Sequence, residues 1–178
     1  MEEKINPWKA NLTNGLILGL IGITYSLILY FIDKSTDKNL GYVLIVIQIA
    51  VLFFLLKSYR DNLMHGQITF GQSVGAGVII SLYSAILASV FTYVLYTVID
   101  PGLVAKQLAL AEEGMRAKGN LTESQIDAGM QFTAKIMKPM VLAISGIFGG
   151  LLWGTIISLL LSIFIKKEGN PLVDTPKI

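Results

Sequence analysis

Four long segments of the chain contain no aspartate, glutamate, lysine or arginine. They cover residues 12–32, 40–56, 74–99 and 140–165. A helix needs about 20 apolar residues to cross a hydrocarbon core of about 30 Å, and the second segment, at roughly 17, is at the lower limit. One charged side chain at mid-span costs about 2.5–3.5 kcal/mol on the insertion scale. The pattern therefore predicts an all-α membrane protein, a bundle of four transmembrane helices.

The composition agrees with this fold class and argues against several functions. Of the 178 residues, 53% are hydrophobic and 15% are charged, whereas a soluble domain carries about 25% charged residues. The net charge of +2 is too small to indicate a nucleic-acid partner. With no cysteine and one histidine, the chain offers neither a thiolate metal site nor a histidine cluster. We therefore expect no metal and no cofactor.

Interfacial and helix-breaking residues stand at the ends of these segments. They are Trp8-Lys9, Asp100-Pro101-Gly102, Lys138-Pro139 and Lys166-Lys167. The first apolar run is longer than a signal-peptide core and has no small-residue cleavage site after it, so we expect a retained helix. We expect one membrane domain over residues 1–178, with a loose tail at 169–178.

The loop over residues 102–138 has the pattern of helices outside the membrane. Its apolar residues recur on one helical face in each half, first Val104, Leu108, Ala111 and Met115, then Ile126, Met130, Thr133 and Met137. Thr122 and Gln125 have the spacing of a capping box. The pattern predicts two short amphipathic helices that lie on the membrane surface or on the bundle. The alternative is a partly disordered loop.

The number of spans predicts the orientation only in part. An even number places both termini on one side, but the two sides carry equal numbers of lysine and arginine. Lys166-Lys167 lies directly at a helix end, whereas Arg116 and Lys118 lie within the longer loop, where charge has less influence on topology. We expect both termini in the cytoplasm and the long loop outside.

Small residues form stripes along three of the four predicted spans. These residues are Gly15, Gly19 and Gly22 in the first span, Gly77, Ser81 and Ser84 in the third, and Gly146, Gly150, Gly154 and Ser158 in the fourth. Small side chains let helix backbones approach closely, which drives helix association in lipid. The stripes are therefore candidates either for packing within the bundle or for contact with a partner subunit.

Polar residues inside the spans are few. Gln48 is the most interior amide, and we expect it to make an interhelical hydrogen bond or to contact a substrate. Conduction and proton coupling usually need ionisable groups within the membrane, and the four segments have none.

The sequence contains no recognisable catalytic motif. His65 is the single imidazole, and the loop around it leads to Thr69, which has the position of an N-terminal cap for the third helix. Because no catalytic motif is present, we expect no enzyme activity. A lipid-modifying enzyme would have only Asp33, His65 and Asp100 as plausible catalytic residues.

One short motif and the layout of the chain together resemble a known family. The four spans, the sequence Ile68-Thr69-Phe70-Gly71-Gln72 before the third helix, and the charged helical loop after it resemble small bacterial membrane proteins known only as a domain of unknown function. The resemblance implies a four-helix protein of the bacterial inner membrane without assigned catalytic residues. It also implies a place in envelope or lipid-linked glycan biogenesis.

Three functions follow from these patterns. The first is a non-enzymatic accessory or scaffold subunit, with the lipid bilayer and another membrane protein, or a second copy of the chain, as partners. The second is a small homo-oligomeric transporter or channel, which would need a polar path along Ser81, Ser84, Thr92 and Gln48. The third is the lipid-modifying enzyme.

Overall fold

The structure is a computed structural model that describes residues 5–168, and within them it consists of helices joined by short loops. The helices are α1 (Pro7–Phe31), α2 (Lys38–Leu63), α3 (Phe70–Val94), α4 (Gly102–Arg116), α5 (Glu123–Ile136) and α6 (Pro139–Ile165). A π-helical turn, Leu95–Ile99, extends α3. No strand occurs among residues 5–168. The all-α prediction is therefore confirmed, whereas the predicted tail at 169–178 lies outside the described residues.

Four of the helices are long and apolar enough to cross a membrane. They are Pro7–Phe31, Asn39–Leu63, Phe70–Ile99 and Pro139–Ile165, so the chain is a multi-pass membrane protein. These helices extend beyond the charge-free segments because charged residues near a helix end can reach water. The second helix, for example, continues past Lys57 and Arg60 to Leu63.

Side-chain caps define where several helices begin. Asn6 accepts hydrogen bonds from the backbone N–H groups of Trp8 and Lys9 ahead of α1. Thr69 and Gln72 bond each other reciprocally at the start of α3 (3.0 and 3.3 Å), which confirms the predicted cap. Such caps satisfy helix N–H groups that have no partner within the helix.

The described residues divide into two compact units. We call residues 5–87 and 149–168 the bundle unit, and Ala88–Phe148 the hairpin unit. The bundle unit contains α1 and α2, most of α3 and the C-terminal part of α6. Its core is formed by Leu18, Leu52, Leu56, Tyr59, Ile68, Ala76, Ile80 and Ile165.

The hairpin unit contains the two helices that the loop pattern predicted. The capping box of Thr122 and Gln125 is present at the start of α5. Leu103 of α4 and Ile126 of α5 are buried, and Gly129 of α5 lies against Met115 of α4. The two amphipathic helices are thus confirmed in place of a disordered loop.

Arg116 ties the end of α4 to the start of α5. It forms ion pairs with Glu123 at 2.8 Å and with Glu112 at 3.0 Å. These hydrogen bonds, the one to Glu123 first, raise the pKa of Arg116 above its usual value. Because the pair is exposed to solvent, it fixes the geometry of the turn more than it adds stability.

Arg60 joins the end of α2 to the end of α6 in the bundle unit. Its guanidinium donates to the carbonyl oxygen of Ile165 at 3.0 Å and pairs with Asp61 at 2.7 Å. The last carbonyls of a helix lack partners in the helix itself, and a cation is favourable at that end. Arg60 therefore fixes the end of α6 beside α2.

We predict that Arg60→Gln loosens this end of the bundle unit. Removal of a charged hydrogen bond to a half-buried carbonyl costs about 1.5–3 kcal/mol. Hydrogen exchange of the Ile68 and Lys167 amides, which bond each other's carbonyls (2.9 and 3.0 Å), should become faster by at least about tenfold. Lys57→Gln, which removes an exposed charge from the same helix, is the control. Equal exchange in both variants would contradict the prediction.

Candidate functional site

Helices α3 and α6 contact each other through a regular ladder of small residues in the bundle unit. Its pairs are Ser73 with Ser162, Gly77 with Ser158, Ser81 with Gly154, and Ala85 with Gly150. Each step is four residues forward on α3 and four residues back on α6, as expected for two antiparallel helices. These pairs, the rungs of the ladder, differ in kind. The first is a hydrogen bond of 2.8 Å between serine hydroxyls, and the other three are close contacts at a glycine.

The glycines of this ladder have no room for a side chain. A Cβ added at Gly77 would lie 2.7 Å from the Ser158 Cβ, and one added at Gly150 would lie 2.7 Å from the Ala85 Cβ. At Gly154 an added Cβ would collide with the Ser81 side chain. Backbone contacts this close are the means by which helices pack in lipid. In the hairpin unit, Gly146 lies against Ser89 in the same way.

The glycines of α1 contact two other helices of the bundle unit. Gly15 lies against Tyr83 of α3, and Gly19 lies against Ser84 of the same helix. Gly22 lies against the side-chain nitrogen of Gln48 on α2, where an added Cβ would approach it to 3.0 Å. The helix α3 thus uses one face for α6 and another for α1.

The predicted stripe on α3 therefore consists of residues from two faces. Gly77 and Ser81 face α6, whereas Ser84 faces α1. Ser73 and Ala85 complete the face toward α6, and neither was among the predicted residues. A strict four-residue step from Gly77 would have reached both of them. All ten of the predicted small residues contact other residues of the same chain.

One small residue of α6 is left open on the outer surface of the bundle unit. A Cβ at Gly149 would meet no atom within 4 Å, and Trp153, one turn further on, is 64% exposed. Ile156 and Leu160, which are also exposed, continue this face. This face was not among the predicted sites, although a tryptophan in the middle of a predicted span is a signal visible in the sequence.

Trp153 differs from the other tryptophan in its position. Trp8 lies near the start of α1 and contacts Tyr83 edge to face, with ring centroids 6.2 Å apart. Tryptophan is enriched at the two membrane interfaces, where its indole N–H can reach water. Trp153 lies near the middle of Pro139–Ile165, where lipid offers that N–H no acceptor.

An open cleft lies at the end of the bundle unit where α3 begins and α6 ends. Its volume is about 450 Å³, and it is lined by apolar groups, among them Met64 and Ile68, and by the polar side chains of His65, Gln67, Thr69, Gln72, Lys167 and Glu168. An antiparallel bridge between Ile68 and Lys167 holds its two backbone segments together. His65 has a φ of 51°, a left-handed conformation that is uncommon outside glycine.

Two of the acidic and imidazole residues considered for an enzyme lie far apart. Asp33 precedes α2 and His65 follows it, and this helix of 26 residues is about 39 Å long. The third residue, Asp100, accepts a hydrogen bond from the Gly102 N–H at 3.0 Å, at the start of α4. Among the described residues, no group of three or more His, Cys, Asp or Glu side chains is placed to hold a metal ion.

The fold and these surfaces define a four-span membrane protein with a helical hairpin between its third and fourth spans. Residues 13–167 match the family described as protein of unknown function (DUF4199), and the chain belongs to this family. The expected resemblance to a domain of unknown function is therefore confirmed. No curated protein and no solved structure is detectably similar to the chain.

We predict that Gly154→Ala destabilises the purified protein, because the new methyl group would collide with Ser81. Overpacking of this kind costs about 1–3 kcal/mol. Gly149→Ala is the matched control, since it makes the same change on the same helix at an open position. Thermal unfolding in detergent should give a lower melting temperature for Gly154→Ala than for Gly149→Ala. Equal melting temperatures would mean that the ladder is not packed as described.

Proposed function

We propose that this protein is a non-enzymatic accessory or scaffold subunit of the bacterial inner membrane. In this proposal it binds another membrane protein through the outer face of α6, and it acts in envelope or lipid-linked glycan biogenesis, as the family resemblance implies. The observation that carries the proposal is the exposed Trp153 beside the open Gly149.

The surroundings of Trp153 favour a helix as the missing neighbour. Gly149 leaves a shallow depression on the helix surface, and Trp153 stands next to it as a projection on the same face. A partner helix could approach the backbone at Gly149 and offer a hydroxyl, amide or carbonyl acceptor to the indole N–H. Buried tryptophans are also common among the residues that contribute most to binding energy.

The contacts of the predicted polar path favour a scaffold over a transporter. Ser81 lies against Gly154, and Ser84 lies against Gly19. Both serines are buried in helix contacts within the bundle unit. A transport path requires polar side chains along an opening, and these two side chains already fill the space between packed helices.

Affinity purification of the tagged protein in mild detergent tests the proposal. We expect a stoichiometric membrane-protein partner, identified by mass spectrometry. Trp153→Ala and Gly149→Leu should each reduce its recovery by at least about tenfold, equivalent to about 1.4 kcal/mol. Gly41→Leu adds the same side chain at an equally open glycine on α2, and it should keep the partner. Full recovery with both α6 variants would reject this face as the interface.

The homo-oligomeric transporter gives a different result in the same experiment. A protein that purifies alone as a defined oligomer would favour it, and flux through liposomes that contain the purified protein would then establish transport. Absence of flux together with a bound partner would favour the accessory role over transport.

We propose that both termini lie in the cytoplasm. The chain has no cysteine, so single cysteines report topology directly. Gln67→Cys, in the loop between α2 and α3, should resist an impermeant thiol reagent in intact cells, whereas Ser124→Cys, at the exposed start of α5, should react. Both should react after permeabilisation. Labelling of position 67 in intact cells would reverse the orientation.

A further inference from the structure

We propose that the cleft at the end of the bundle unit binds a lipid headgroup that carries both a phosphate and an ammonium group, as in phosphatidylethanolamine. Its volume of about 450 Å³ is within the range of about 300–1,000 Å³ that is typical of small-ligand sites. This inference does not depend on the proposed partner surface, because Trp153 and Gly149 take no part in the cleft.

The position of the cleft suits a headgroup. Its residues lie in the loop before α3 and in the first turn of that helix, which begins at Phe70, and immediately after α6, which ends at Ile165. Both helices are candidate spans, so their ends on this side mark the boundary between hydrocarbon and water. Polar lipid headgroups occupy that level of the bilayer.

The cleft offers donors for a phosphate. Lys167 and His65 both line it. Gln72 accepts a hydrogen bond from the Thr69 N–H through its side-chain oxygen (3.0 Å), which leaves its amide N–H groups as donors. Arg60, Lys57 and Lys167 also lie close enough to Asp61 to interact with its carboxylate, Arg60 most of all through its hydrogen bond, so cations are gathered near this end of the bundle unit. Phosphate oxygens accept hydrogen bonds from donors of this kind.

Glu168 supplies the complementary charge for an ammonium group. It lines the same cleft as Lys167, and in the part of the chain that the structure describes neither side chain forms an ion pair. A purely anionic ligand would be repelled by Glu168, whereas a zwitterionic headgroup can satisfy both charges. An ammonium group with N–H donors can also hydrogen-bond the carboxylate, which a quaternary amine cannot.

The surface of α3 next to the cleft can accommodate the rest of a lipid. Gly75 follows Gln72 by three residues and therefore lies on a neighbouring part of the same helix face. A Cβ at Gly75, or at Gly71, would meet no atom within 4 Å. The two glycines leave a shallow open surface that runs from the cleft toward the hydrocarbon, where an acyl chain can lie.

Backbone hydrogen bonds hold the two segments of the cleft together, so replacing a side chain does not remove these contacts. Ile68 and Lys167 exchange two backbone hydrogen bonds, at 2.9 and 3.0 Å. Gly66 N–H donates to the carbonyl of Arg60 at 2.9 Å, which fixes the turn at His65. Substitutions that change only the side chains of Lys167 or Glu168 therefore keep these contacts, so a loss of binding can be assigned to the side chains.

Native mass spectrometry of the full-length protein, released from micelles that contain a defined lipid, tests the site. We expect phosphatidylethanolamine to be retained at one copy per chain in preference to phosphatidylglycerol and phosphatidylcholine. Lys167→Gln and Glu168→Gln should each lower its retention by about tenfold, and Glu168→Gln should raise that of phosphatidylglycerol. Lys9→Gln removes a lysine that does not line the cleft and should have no effect.

Two further measurements distinguish binding of the whole lipid from binding of its free headgroup. Gly75→Leu should reduce retention of the lipid, and Gly41→Leu, at an open glycine on α2, should not. Soluble phosphoethanolamine at millimolar concentration should compete weakly. Equal retention of the three lipids, or retention of phosphatidylethanolamine that is unchanged in Glu168→Gln, would overturn the proposal. Binding of free phosphoethanolamine that is as tight as that of the lipid would overturn the lipid as ligand.

Discussion

Close contact between helix backbones is the interaction on which the rest of this structure depends. In a bilayer the helices gain nothing from burying apolar side chains against one another, because lipid tails are equally apolar. Dispersion contacts at short range and a few hydrogen bonds must hold the helices together. The ladder between α3 and α6 meets this requirement, since a small residue stands on at least one side of every rung and a serine hydroxyl pair closes its end at Ser73 and Ser162.

This use of small residues also determines what remains available for function. The glycines and serines that resemble an interaction motif in the sequence are occupied by contacts within the chain, and α3 divides them between α6 and α1. Several other glycines are open, and three of them lie on the two surfaces proposed to bind a partner or a lipid: Gly149 on α6, and Gly71 and Gly75 on α3.

The sequence predicted the elements of the fold because each has a local physical signal. Absence of charge marks the spans, Pro139 marks the start of α6, and the spacing of Thr122 and Gln125 marks the start of α5. The division of α3 between two partners was not predictable in the same way. Ser81 and Ser84 are three residues apart and lie on adjoining parts of one helix, so a single stripe and two separate faces look alike in one sequence. The bridge between Ile68 and Lys167 joins residues that are distant along the chain and carry no pairing signal.

The two ends of the described spans are held in different ways, and this bears on where ligands can bind. At the end of the bundle unit where α1 meets α2, the Tyr25 hydroxyl donates to the carbonyl of Leu40 at 2.8 Å. At the other, Arg60, Ile68, Lys167 and the capped start of α3 join α2, α3 and α6 through backbone and charged hydrogen bonds. A site gains affinity when its groups are ordered before the ligand arrives. Because the second end is fixed by bonds that leave Lys167, Glu168 and the Gln72 amide N–H groups unused, the walls of the proposed lipid site are ordered before a headgroup arrives.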